Sequence, residues 1–174
     1  MFYGRENEIK KLCTMLNSDG QMVSLIYGRR RIGKSELIKQ VLKETNIKSI
    51  YYECKQTTEK NNVDSLAELI GESFDFPKPA FENMEVLLTF LFKMSEKEPM
   101  ILVLDEYPYL RENSKGLDSV LQSVIDHNKD TSKMKLIFWK SCENGCIGYE
   151  MHIKKEKNGE ILCRLTIPLA FLFC

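Results

Sequence analysis

The chain has 174 residues, and its 25 lysines and arginines are balanced by 25 aspartates and glutamates. That length suits one domain with a sizeable core, and the zero net charge provides no global field to draw in nucleic acid or an anionic membrane. No apolar run is long enough to span a bilayer, and charges at Arg5, Glu6 and Glu8 do not fit a secretory leader, so a cytoplasmic location is expected.

Along the chain, Glu6 to Leu16 carries Ile9, Leu12, Cys13 and Leu16 on one face, the pattern of an amphipathic helix. Met22-Val23-Ser24-Leu25-Ile26-Tyr27 is short, β-branched and aromatic, and predicts a buried strand. Directly behind it, Gly28-Arg29-Arg30-Arg31-Ile32-Gly33-Lys34-Ser35 matches the phosphate-binding loop pattern G-x-x-x-x-G-K-[ST]. From Glu36 to Lys43 the apolar residues at 37, 38, 41 and 42 have helical spacing. Strand, glycine loop and helix in that order form the context this pattern requires.

Such a loop implies a nucleoside triphosphate. Gly28 and Gly33 allow backbone conformations in which successive N–H groups turn inward on an anion. The following helix adds its unpaired first N–H groups and the positive end of its dipole. Lys34 would reach the β- and γ-phosphates, and the Ser35 hydroxyl would ligate Mg²⁺, a cation that prefers oxygen. Arg29, Arg30 and Arg31 would at least raise the local positive potential. The candidate nucleotide-binding set is therefore Gly28, Arg29, Arg30, Arg31, Ile32, Gly33, Lys34, Ser35 and Glu36.

Further on, Ser49 to Cys54 predicts a second strand, and the polar stretch Lys55 to Asn62 predicts a loop. Val63 to Phe74 and Glu82 to Ser95 are helical by spacing, separated by the breaker Pro77-Lys78-Pro79. Met100-Ile101-Leu102-Val103-Leu104 then runs apolar throughout, as a strand buried on both faces does, and Asp105-Glu106 follows at its carboxyl end. Asp105 would hold Mg²⁺ on the metal side, directly or through water. Glu106 would orient or deprotonate the attacking water, which with Lys34 makes the candidate catalytic pair. Gly116 to His127 predicts another amphipathic helix, and Met134 to Trp139 a fourth strand. The aromatics Tyr107, Tyr109, Phe138 and Trp139 are expected in core or rim packing rather than on nucleic-acid bases. Alternating helices and strands favour a parallel sheet covered on both faces. Right-handed crossovers would bring the loops after strands one and three to one edge.

With its opening Phe2-Tyr3-Gly4-Arg5-Glu6-Asn7-Glu8-Ile9, its Tyr27 to Ser35 loop and Leu104-Asp105-Glu106-Tyr107-Pro108-Tyr109-Leu110, the chain resembles the archaeal-type ATPase family. That family belongs to the AAA+/STAND group of P-loop ATPases, and the resemblance covers roughly residues 1–138. It implies a three-layer α/β P-loop NTPase core with a mainly parallel sheet of the ASCE, AAA+-like kind. It implies that Lys34 and Ser35 form the Walker A pair and Asp105 and Glu106 the Walker B pair. It further implies that Gly4, Arg5 and Glu6 lie near the adenine, which adds Gly4 and Arg5 to the binding set. ATP rather than GTP also follows from the resemblance.

Beyond about Trp139 the family pattern fades. Family members run L-C-G-S after the fourth strand, where this chain has Phe138-Trp139-Lys140-Ser141, with Ser141 or Asn144 as the remaining candidate sensors. Lys157-Asn158-Gly159-Glu160 is a hairpin turn signal, and the chain closes on the apolar Ile167 to Cys174. Residues 139–174 are thus expected as a divergent, β-hairpin-like tail to a 1–138 core, the truncated or frameshifted end of the same domain. The six cysteines, at 13, 54, 142, 146, 163 and 174, contain no C-x-x-C pair and are expected as free thiols. Cys142, Cys146 and His152 are poorly spaced for a metal. For an arginine closing on the γ-phosphate, only Arg111 and Arg164 come forward, by elimination.

The function implied is an Mg²⁺-dependent ATPase core acting as a conformational switch. The alternatives are a non-catalytic nucleotide-binding fragment or interaction module, and a DNA-associated regulator of the origin or loader kind. The partner expected is ATP, with self-association or a protein partner left open. Neither a membrane nor, for this domain alone, nucleic acid is expected.

Overall fold

The computed structural model describes residues 6–29, 33–142 and 167–168. In chain order these form α1 (Glu6–Leu16), β1 (Met22–Arg29), α2 (Lys34–Glu44), β2 (Lys48–Glu53), α3 (Glu59–Phe74), α4 (Met84–Lys97) and β3 (Met100–Asp105). Then come α5 (Tyr107–Asn113), α6 (Leu117–His127), β4 (Met134–Cys142) and the two-residue β5 (Ile167–Pro168). The strands make one sheet in the order β2-β3-β4-β1-β5, parallel at every pairing. Parallel strands need crossovers, and helices supply them, so both faces of the sheet are covered.

Side-chain alternation along the central strands sorts the core into two layers. Leu102 and Leu104 of β3 and Leu136 and Phe138 of β4 point to the face covered by α3, α4 and α6. Ile101 and Val103, with Ile137 and Trp139, point to the face covered by α1 and α2. Every residue of β3 is buried, which is why its sequence is continuously apolar until Asp105. The α/β, three-layer, mainly parallel architecture expected from sequence is what the chain adopts. No helix among the described residues is long and apolar enough to cross a membrane.

Four local expectations are revised. The polar Lys55–Asn62 stretch is not all loop, because α3 begins at Glu59. The Thr58 side chain accepts from the Asn61 N–H at 3.3 Å and caps the helix. Asn62 is fully buried, accepting from the Tyr52 hydroxyl at 2.6 Å and the Lys55 N–H at 3.0 Å. A polar residue at that position is part of the core, which hydropathy does not reveal. β1 runs two residues past Tyr27 through Gly28 and Arg29, and β4 runs past Trp139 to Cys142, because the two strands pair with each other to their ends. Lys140 and Ser141, at the place of the family's sensor turn, instead continue β4, and Trp139 is buried against α1 and α2 as expected of a core strand residue. Finally α5 was not anticipated, since seven residues are too few for periodicity to register.

The hairpin expected around Lys157–Glu160 and the candidate sensor Asn144 lie outside the described residues. Ile167 and Pro168 pair with Ile26 and Tyr27 as a short parallel strand.

Candidate functional site at the carboxyl edge of the sheet

Because all strands are parallel, the carboxyl ends of β1, β3 and β4 lie along one edge. Gly28 and Arg29 are the last two residues of β1 and lie beside Ser141 and Cys142 of β4. Gly33 precedes α2 with φ 73° and ψ 25°, a left-handed conformation that a glycine adopts without steric cost. Lys34 is the first residue of α2, and Ser35 and Glu36 complete its opening turn. The N-cap is a glycine, which has no side chain to cap that turn, and the first N–H groups of a helix are the ones that can receive an anion. Arg30, Arg31 and Ile32 of the loop, and Gly4 and Arg5 of the opening, lie outside the described residues.

Asp105 ends β3 and is almost completely buried. The Ser35 hydroxyl donates to its Oδ2 at 3.4 Å, across 70 residues of sequence. A second donor, the Tyr51 hydroxyl of β2, takes the same oxygen. Burial, and then the hydrogen bond to Asp105, push the Tyr51 phenol far above its ordinary value, so it keeps its proton and remains a donor. The Lys39 ammonium lies 5.5 Å from the Tyr51 ring centroid. Tyr51 went unremarked as a site residue because nothing local marks it. The only signal is its place two residues before Glu53, which pairs with Asp105 across the β2–β3 ladder.

The donors present fit a small, hard cation. Ligands at right angles around Mg²⁺, each about 2.1 Å away, stand about 3 Å apart. The Ser35 hydroxyl and the Asp105 carboxylate are neighbours on that scale, so one cation can reach both side chains. No group of three or more His, Cys, Asp or Glu side chains gathers among the described residues, so a cage built wholly from those groups is not found there. Two protein oxygens completed by water and phosphate is the usual arrangement for Mg²⁺.

Glu106 follows Asp105 with φ 52° and ψ 42°, one of two non-glycine residues among those described with positive φ. Such a conformation costs about 1–2 kcal/mol in a residue with a Cβ. It turns the chain from β3 into α5, and the Glu106 carbonyl accepts from the Tyr109 N–H at 3.0 Å. The turn is anchored on both sides. The Cys54 N–H donates to the Asp105 carbonyl at 2.8 Å, and the Tyr107 hydroxyl donates to Asp118 Oδ1 at 2.6 Å. The Tyr107 ring meets Phe138 edge-on with centroids 4.7 Å apart. Tyr107, Phe138 and Trp139 are thus core residues, and Tyr109 packs against the same core. The buried Cys54 thiol is held far above its usual value by burial and by the Asp105 charge, which leaves it unreactive.

Of the two arginines put forward by elimination, Arg111 is already engaged, its Nε 2.7 Å from Asp118 Oδ2. Arg164 lies outside the described residues.

Comparison with known proteins places the chain in a family. A family model described as an ATPase domain predominantly from Archaea matches residues 2–164, further than the 1–138 over which the resemblance was legible. An uncharacterized protein of Methanocaldococcus jannaschii is 30% identical over 137 residues, covering 79% of this chain and 29% of the relative. An uncharacterized ATP-binding protein of Pyrococcus horikoshii is 25% identical over 170 residues, covering 90% of this chain and 51% of the relative. The chain therefore spans about half, or less, of the length of the relatives it matches. Among solved structures, a Walker-type ATPase of Pyrococcus abyssi superposes with a TM-score of 0.59 at 22% identity, covering 80% of this chain and 45% of that one. The ORC2 protein of Aeropyrum pernix, solved in ADPNP and ADP complexes, gives 0.62 at 16% identity, with 80% and 42% covered. The ORC1 protein of the same organism, solved in complex with DNA, gives 0.61 at 20% identity, with 82% and 40% covered. These likenesses are of fold.

Proposed function

The chain belongs to the family of ATPase domains found predominantly in archaea, and from that footing we propose that it binds ATP with Mg²⁺ at the carboxyl edge of its sheet and hydrolyses it as a conformational switch. The observation that carries the reading is the meeting of Ser35 with Asp105 at 3.4 Å. A loop hydroxyl and a strand-end carboxylate, far apart in sequence, converge as the two protein ligands of a nucleotide-bound Mg²⁺ would. When bound, that cation would neutralise charge developing on the phosphates.

The chain's own residues divide the remaining work. The first N–H groups of α2 and the Lys34 ammonium would receive the phosphates. Ser35 and Asp105 would hold the cation. Glu106, displaced from the strand by its left-handed backbone, would orient the attacking water and accept its proton. Gly28 to Ile32, Glu36, Gly4 and Arg5 belong to the proposed binding set on the strength of the sequence pattern and the family.

Thermal unfolding tests the reading. Saturation to a hundredfold above Kd is expected to stabilise the fold by about 2.7 kcal/mol, with Mg²⁺ required for the full effect. Lys34→Ala should abolish the shift. Glu106→Gln should keep it while lowering phosphate release by about two orders of magnitude or more. An unchanged melting point at saturating Mg·ATP would sink the proposal.

One observation favours a second reading, nucleotide binding without appreciable turnover. An arginine supplied to the γ-phosphate is worth about three to five orders of magnitude in rate, and Arg111 is occupied by Asp118. Phosphate release no faster than that of Glu106→Gln would select this reading over hydrolysis.

A further inference from the structure

Asp105 is gripped by hydroxyls from two different elements, and only one of them belongs to the glycine loop. Ser35 arrives from α2 and Tyr51 from β2, and both donate to Oδ2. Strand register explains the second. Tyr51 pairs with Val103 and Glu53 with Asp105, so Tyr51 stands two positions back from the carboxylate on the same face of the sheet. Two residues of strand span about 6.6 Å, within reach of a phenol hydroxyl lying along the sheet. The ring is itself held, half-buried against the layer under α1 and α2 and flanked by Lys39.

We infer that Tyr51 is a positioning residue for the metal-side carboxylate, fixing Oδ2 of Asp105 so that its remaining acceptor capacity lies on Oδ1. The inference rests on the Mg·ATP site proposed above and adds to it a residue outside both motifs. A carboxylate oxygen has two lone pairs, and two donors fill them. The Ser35 hydroxyl has two tasks, donating to Asp105 and offering a lone pair to the cation, and its 3.4 Å separation makes it the weaker holder. Tyr51 has only the first task. A carboxylate already fixed loses less rotamer freedom when a cation arrives. Donors behind a ligating side chain commonly govern metal affinity by 10–100-fold.

Tyr51→Phe removes the hydroxyl and keeps the ring beside Lys39. Mn²⁺, followed by its paramagnetic resonance signal, is titrated into the protein with ATP. The midpoint is expected to rise about tenfold in the variant, while ATP affinity measured in EDTA and the melting temperature without ligand stay as in wild type. In an Asp105→Asn background the same substitution should leave the Mn²⁺ midpoint unmoved. A Tyr51→Phe midpoint equal to that of wild type overturns the inference. So does an equal rise in the Asp105→Asn background, or a tenfold loss of ATP affinity in EDTA, since either would place the effect elsewhere than on Asp105. Wild-type protein that shows no Mn²⁺-dependent ATP binding would take down the underlying site reading together with this inference. Normal wild-type binding beside an unaltered variant would overturn the Tyr51 role alone.

Discussion

The Lys135 ammonium donates to the Gly20 carbonyl at 2.6 Å, at the edge of the sheet opposite the candidate site. It donates to the Ser18 carbonyl at the same distance, and the side chain is 1% exposed. A charge so placed is tolerated because two carbonyls of the turn between α1 and β1 replace the water it has lost. Lys135→Met would leave both carbonyls in place with no donor. The unfolding free energy is expected to fall by about 2 kcal/mol, the usual loss for hydrogen bonds to a charged group, as read from urea denaturation. The pH dependence has a definite sign. Burial, opposed by Asp19, holds the Lys135 pKa below its ordinary 10.5, so the unfolded chain binds this proton more tightly than the fold does. Stability from this group should therefore rise with pH between the lowered value and 10.5. The gap between wild type and Lys135→Met should widen in the wild type's favour across that window, and a narrowing gap would contradict the assignment.

Gly71 and Gly116 should respond to alanine for different reasons. Gly71 lies within α3, where helix propensity alone favours alanine by about 1 kcal/mol. A Cβ there would meet the Phe76 carbonyl oxygen at 3.0 Å and the Lys78 Cα at 3.2 Å, both backbone atoms that do not swing aside. Gly71→Ala should thus destabilise by about 1–3 kcal/mol. Gly116 has open space around it and a φ of 76°, so Gly116→Ala should cost about 1 kcal/mol through the backbone alone. Thermal melts of the two variants settle both signs.

Arg111 and Tyr107 converge on Asp118, which links α5 to α6 immediately behind Glu106. Arg111 is half exposed, so Arg111→Ala should cost no more than about 1 kcal/mol. It should also lower phosphate release less than about tenfold, well short of what a γ-phosphate arginine contributes. Asp118→Ala strips the partner from the buried Tyr107 hydroxyl and should cost about 1–3 kcal/mol. A thousandfold loss in Arg111→Ala would return that residue to the catalytic role.

Glu106 should show opposite effects on stability and on turnover. Its left-handed backbone suits glycine, so Glu106→Gly is expected to raise the unfolding free energy by up to about 1 kcal/mol. The same variant should lose hydrolysis while retaining the nucleotide-induced shift in melting temperature. Parallel melts and phosphate-release assays on the one protein check the pair.

Much of the fold was legible because its signals are local. The strand, glycine loop and helix from Met22 to Lys43 announce themselves by spacing, and Met100 to Leu104 by unbroken apolarity, since each residue responds to its own burial. The element order alone implied a parallel, two-sided sheet, and the chain adopts one. What escaped were residues whose part is set by partners remote in sequence. Asn62 looks like a loop residue until Tyr52 and Lys55 close around it. Lys140 and Ser141 look like a disrupted sensor turn until β4 is seen to pair with β1 to its end.

The sequence by itself determined that a loop of the phosphate-binding pattern and a strand-end acid pair follow strands of a parallel sheet. Only the tertiary structure decided that Ser35 and Tyr51 share one oxygen of Asp105, and that Lys135 closes the opposite edge. Periodicity reports which face of an element is buried. Register between strands decides which side chains meet, and it is set by the packing of the whole sheet.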